Sequence, residues 1–117
     1  MNEMKCATSE RQVRIASLNA RMQELASVMR DSGDFLALLG LGSAGVESDR
    51  LDEWSDLDFF AIVRPGMKQR YIADTAWLAA PCSLDWIFRN TVDGYKLLWK
   101  DGIFAEMAVF EPSELAA

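Results

Sequence analysis

Two aspartates one residue apart, Asp56-Leu57-Asp58, open an apolar run that ends at Val63. Side chains along a strand alternate faces, so the two carboxylates are expected on one face, about 6 to 7 Å apart. At an effective dielectric near 20, two such charges repel by roughly 2 to 3 kcal/mol. Divalent magnesium, which takes carboxylate oxygens together with substrate phosphates, would offset that repulsion. The alternative is that both aspartates sit in the loop ahead of the strand, solvated and marking only its start. Gly42-Ser43 precedes Asp56 by a spacer of twelve residues and itself follows the apolar run 35–41. A glycine after a buried strand lets the backbone approach a ligand, and its amides with the Ser43 hydroxyl can bind phosphate oxygens. Strand, Gly-Ser, spacer and Asp-x-Asp at the head of a second strand together favour phosphate and metal chemistry over a solvated acid pair.

The elements that must hold these residues follow from periodicity. Ser9 and Gln12 have capping-box spacing, and Val13, Ala16, Met22, Leu25, Ala26 and Met29 recur at near-helical intervals, predicting a helix over 9–30. Asp31-Ser32-Gly33 supplies the stop. Residues 35–41 read as a buried strand, 44–55 as a short helix or loop, and 57–63 as a second strand closed by Arg64-Pro65-Gly66. A helix is expected over 67–80, ended by Pro81. Strands follow at 83–88, 95–99 and 103–110. Asp101-Gly102 between the last two is a strong hairpin signal. The order α, β, α, β, α, β, β, β predicts an α/β (α+β) fold, a mixed sheet of about five strands with helices packed against it.

At 117 residues, half of them apolar, the chain suits a single domain spanning 1–117. A net charge of −6 without histidine argues against a nucleic-acid backbone as partner, because phosphate binding there needs clustered Lys and Arg. Cys6 and Cys82 stand far apart, which excludes a zinc-site pattern and a disulfide framework and suits reduced thiols in the cytoplasm. No apolar stretch approaches the roughly 20 residues needed to span a bilayer. Tryptophans 54, 77, 86 and 99 are expected in the core rather than against a nucleobase. Arg50, Arg64, Lys68, Lys96 and Lys100 could offset triphosphate charge, although for each a solvated surface position is the expectation.

The pattern Gly42-Ser43, spacer, Asp56-x-Asp58 within hydrophobics resembles the signature of the DNA polymerase beta-like nucleotidyltransferases. The segment Glu53-Trp54-Ser55-Asp56-Leu57-Asp58 is most similar to antibiotic nucleotidyltransferases, notably the aminoglycoside adenylyltransferases. The resemblance covers residues 35–111. It departs in the Ala44-Gly45 that stands where a basic residue often follows Gly-Ser, and the helical domain that usually follows to shape an acceptor pocket is expected to be missing from this sequence.

The resemblance implies a nucleotidyltransferase-like fold and a third carboxylate on a later strand, often after an Asp-Gly hairpin. Glu106, a charge within the apolar run 103–110, is favoured for that role; Asp85, also flanked by apolar residues, competes. It further implies two magnesium ions held by Asp56, Asp58 and Glu106, with Gly42 and Ser43 on the β and γ phosphates. The reaction would move a nucleoside monophosphate from a nucleoside triphosphate to the hydroxyl of a small-molecule acceptor, Glu106 serving as base. A non-catalytic or antitoxin-like domain that acts through a partner protein or a second copy, and a fragment of a longer enzyme, stand as alternatives.

Overall fold

A computed structural model describes residues 2–41 and 56–115, the side chains of 2–9 and 11 excepted. The helix α1 (Asn2–Ser32) presents Leu18, Arg21, Leu25 and Met29 as a buried stripe at helical spacing. It begins seven residues before the expected Ser9, which lies inside it, and Val13 is exposed rather than on the apolar face. Asn2 to Glu10 contains good helix formers and no breaker, so the turn that buries apolar residues does not have to be the first turn. The stop is as expected: Gly33 adopts φ 78° and its amide reaches the Arg30 carbonyl, while the Ser32 hydroxyl donates to the Met29 carbonyl.

Five strands follow: β1 (Phe35–Gly40), β2 (Leu57–Val63), β3 (Leu84–Thr91), β4 (Gly94–Trp99) and β5 (Phe104–Phe110). They form one sheet in the order β1-β2-β5-β4-β3, with β2 and β5 parallel and the other pairs antiparallel. This is the mixed, helix-backed sheet that the pattern predicts, an α+β fold. The Asp101-Gly102 hairpin forms between β4 and β5, with Gly102 at φ 93° and its amide bonded to the Trp99 carbonyl.

The helix expected over 67–80 forms as two, α2 (Lys68–Ala73) and α3 (Ala76–Ala79). Asp74 breaks it: its backbone is extended, and its side chain accepts the Ala76 amide in place of a helical carbonyl. The kink lets Trp77 pack beside Phe35 and Tyr71. A short helix α4 (Pro112–Leu115), not foreseen in the sequence, ends the described chain.

Strand alternation divides the sheet. Leu57, Phe59, Ala61 and Val63 of β2, Ala105, Met107 and Val109 of β5, and Leu97 and Trp99 of β4 form one core with α1, Ile72, Trp77 and Leu78. The opposite, outer face carries Asp58 and Phe60 of β2, Phe104, Glu106 and Phe110 of β5, and Lys96 and Leu98 of β4. Leu39, paired with Phe60, is exposed there. So are Trp86 and Phe88, paired with Leu98 and Lys96. Trp77 and Trp99 are core as expected, but Trp86 is not: irregularities in β3 at residues 84–86 and 89–91 turn it outward. Trp54 lies outside the described residues. Among the described residues no helix is long and apolar enough to cross a membrane.

Candidate active site

Two of the acids singled out in the sequence, Asp58 and Glu106, come onto neighbouring strands where β2 runs beside β5. Asp58 stands in register with Glu106 on these parallel strands, so both side chains rise from the outer face on adjacent strands. The row continues through Lys96 of β4 to Phe88 of β3, placing an acid pair, a lysine and an aromatic ring across four strands. The end of β1 closes the other flank, because the Leu41 amide donates to the Asp58 carbonyl at 2.8 Å. Gly42 and Ser43 follow Leu41 in the chain and lie outside the described residues, as do Arg50 and the whole spacer 44–55.

Asp56 lies one residue ahead of β2, so strand alternation does not govern its side chain. Its amide donates to the Phe104 carbonyl at 2.8 Å, and its Oδ2 accepts the Phe104 amide at 3.0 Å. Arg14 of α1 reaches the same Oδ2 at 2.7 Å. Both bonds fall on one oxygen. Asp56 thus caps the start of β5 and is tied to the long helix.

Glu106 is half-buried, and its Oε2 accepts a hydrogen bond from Asn90 Nδ2 at 2.8 Å. The other end of that amide, Oδ1 of Asn90, is buried and has no hydrogen-bond partner among the described residues. The charge of Glu106 within an apolar strand is explained by its parity: it is outward while Ala105 and Met107 are inward.

Asp85 is exposed on the edge strand β3 and pairs with Lys100 at 3.7 Å. Strands β4 and β5 separate β3 from β2. Of the two acids that compete for a third role, Glu106 is the one beside Asp58. Among the described residues no three acidic or cysteine side chains are grouped closely enough to hold a metal ion. The donor chemistry of Asp56, Asp58 and Glu106, all hard oxygens, fits magnesium in kind.

The basic residues divide. Lys68 is not on a solvated surface but pinned between Asp93 at 2.6 Å and Glu114 at 2.7 Å, over the Phe110 ring. Those bonds outweigh its burial and raise its pKa. Arg64 faces Asp34 and the Gly33 carbonyl. Lys96 alone of the five stands in the row with the acids among the described residues. Arg14 and Asn90 carry no motif and escape a reading of the sequence. The only signal for Arg14 is its spacing, four residues before Leu18 and seven before Arg21, which sets it in line with the stripe that α1 buries although it is itself exposed. No family model matches the sequence, and no curated protein matches it either.

Proposed function

We propose that the chain is a metal-dependent nucleotidyltransferase acting on a small-molecule acceptor. One observation carries this reading: Asp58 and Glu106 stand in register on adjacent parallel strands of the outer face, with Asp56 one residue ahead of the strand that holds Asp58. The resemblance of Gly42-Ser43 and Asp56-x-Asp58 to polymerase beta-like enzymes adds to it.

Asp56, Asp58 and Glu106 would hold the magnesium, and Gly42 and Ser43 the β and γ phosphates. Bound magnesium would supply charge stabilisation to the attacking and leaving oxygens. The acceptor hydroxyl would attack the α phosphorus, forming a new ester as the bond to pyrophosphate breaks, and its proton would pass to Glu106. Asn90 would orient that carboxylate through the bond to Oε2, leaving Oε1 toward the acceptor. The net charge of −6 disfavours a nucleic-acid acceptor. A cytoplasmic setting suits the half-buried free thiol of Cys82.

A second reading, a non-catalytic domain of the same architecture that works through a partner or a second copy, draws on the Arg14 contact: Asp56 has a cationic partner without any metal. Thermal denaturation separates the two. Magnesium plus a nucleoside triphosphate should raise the melting temperature, the nucleotide with chelator much less, and Asn at both 56 and 58 should remove the metal-dependent part. An unchanged magnesium response in the double variant counts against catalysis.

A further inference from the structure

The outer face is apolar in two places and charged between them, and the apolar part on β3 has a specific shape. Trp86 and Phe88 lie two residues apart on one strand with ring centroids 5.6 Å apart and planes inclined by 30°, a stacked pair. Trp86 is also buttressed edge-on by Phe104 at 5.6 Å. Yet Trp86 remains 40% exposed and Phe88 52% exposed. Two large aromatics are held in place by each other and by a third ring, yet each keeps ring surface open to solvent that this packing does not consume.

The register fixes where this surface stands relative to the acids. Phe88 ends the row that begins at Asp58 and passes through Glu106 and Lys96; Trp86 ends the row that begins at Asp56 and passes through Phe104 and Leu98. Three strand spacings of about 4.8 Å put the aromatic surface roughly 14 Å from the aspartates. A protein helix or sheet laid over this face would have to bury the charged side chains of Lys96 and Glu106 along with the rings, which is costly wherever the partner does not match them. An extended ligand with a planar ring at one end and a charged group at the other matches the face without that cost.

We propose that Trp86 and Phe88 are the base-stacking residues of the site, seating the heteroaromatic ring of the donor nucleotide, with Lys96 beneath the connecting phosphates. This rests on the nucleotidyl-transfer reading, which supplies the class of ligand. Stacking on an aromatic face tolerates any base, because every base has a π-face. The pair therefore contributes affinity and placement while leaving the choice of base to edge contacts.

The test is calorimetric titration of the full chain with the tightest-binding of magnesium ATP, GTP, CTP and UTP, and in parallel with magnesium tripolyphosphate, which lacks a base. Trp86→Ala and Phe88→Ala should each weaken the nucleotide roughly tenfold and leave tripolyphosphate unchanged. Trp86→Phe should retain most of the affinity. Phe88→Ala keeps the test available if loss of the Trp86–Phe104 contact unfolds the first variant. Unchanged nucleotide binding in a folded Phe88→Ala chain overturns the stacking role, as does wild-type binding of the nucleotide no tighter than tripolyphosphate; both leave the transfer reading standing. A wild-type chain that binds neither ligand overturns that reading and this inference together. Self-association of the wild type that Phe88→Ala abolishes, with nucleotide binding unaffected, assigns the surface to a second copy instead.

Discussion

Arg14 Nη2 lies 2.7 Å from Asp56 Oδ2, so the first half of the long helix α1 is tied to the head of β2. On the proposed magnesium binding, the guanidinium and the metal would compete for the same carboxylate charge. Arg14→Ala should therefore tighten magnesium binding by up to about fivefold, the range open to a half-exposed ion pair. Magnesium titration of the nucleotide complex measures it. Weaker magnesium binding in Arg14→Ala would show that Arg14 supports the site rather than competing for it.

A second tie joins α1 to the far side of the sheet. The Arg21 side chain, buried over the Trp99 ring, hydrogen-bonds Asp101 in the β4–β5 hairpin and Glu24 in its own helix. The hydrogen bond from Arg21 holds the Asp101 carboxyl below its usual range, and the bond from Lys68 does the same for Glu114. A depressed folded-state pKa contributes stability that is complete above the ordinary carboxylate range and lost as pH falls through the lowered value. Acid denaturation should accordingly steepen below about pH 4. Asp101→Asn should flatten that limb and cost about 1 to 2 kcal/mol at neutral pH, modest because Asp101 is nearly half exposed. An Asp101→Asn chain with the wild-type acid limb would contradict the assignment.

What the sequence made legible was local. β2 begins and ends where its β-branched and aromatic residues do, and Asp101-Gly102 turns where an Asp-Gly pair should. The parallel pairing of β2 with β5, which sets Glu106 beside Asp58, joins residues 48 apart in the chain, and no periodicity encodes such a distance. Trp86 faces outward because β3 is irregular on both sides of it, and a bulge has no reliable residue signature. Asn90 lies beyond the strand expected at 83–88 and carries no motif, and only the fold brings it across β4 to Glu106. Gly42 and Ser43, the phosphate half of the motif, lie outside the described residues, so their part rests on the sequence.

Gly94 opens β4 at a point of close approach. A Cβ built there would meet the Met107 carbonyl oxygen at 1.8 Å and Ala108 Cα at 2.7 Å, both backbone atoms that no rotamer can move. Gly94→Ala should destabilise the fold by roughly 1 to 3 kcal/mol or more, with Gly33→Ala, which has open space around its Cβ but a positive φ, costing less. Chemical denaturation of the two variants checks the order. A Gly94→Ala chain as stable as wild type would mean that β4 and β5 are spaced differently.

The role of Glu106 can be separated from a structural one by the charge it carries. Glu106→Gln keeps the shape and an oxygen that accepts the Asn90 amide. Its melting temperature should therefore hold. If Glu106 takes the acceptor's proton and helps hold the metal, transfer activity with a magnesium nucleotide should nonetheless fall on the order of 10² to 10⁴-fold. Asp85→Asn, which breaks only the exposed pair with Lys100, should leave both quantities near wild type. The comparison requires an acceptor, found by screening small hydroxyl compounds for pyrophosphate release. Full activity in Glu106→Gln with loss in Asp85→Asn would transfer the role to Asp85 despite its place on the far edge of the sheet.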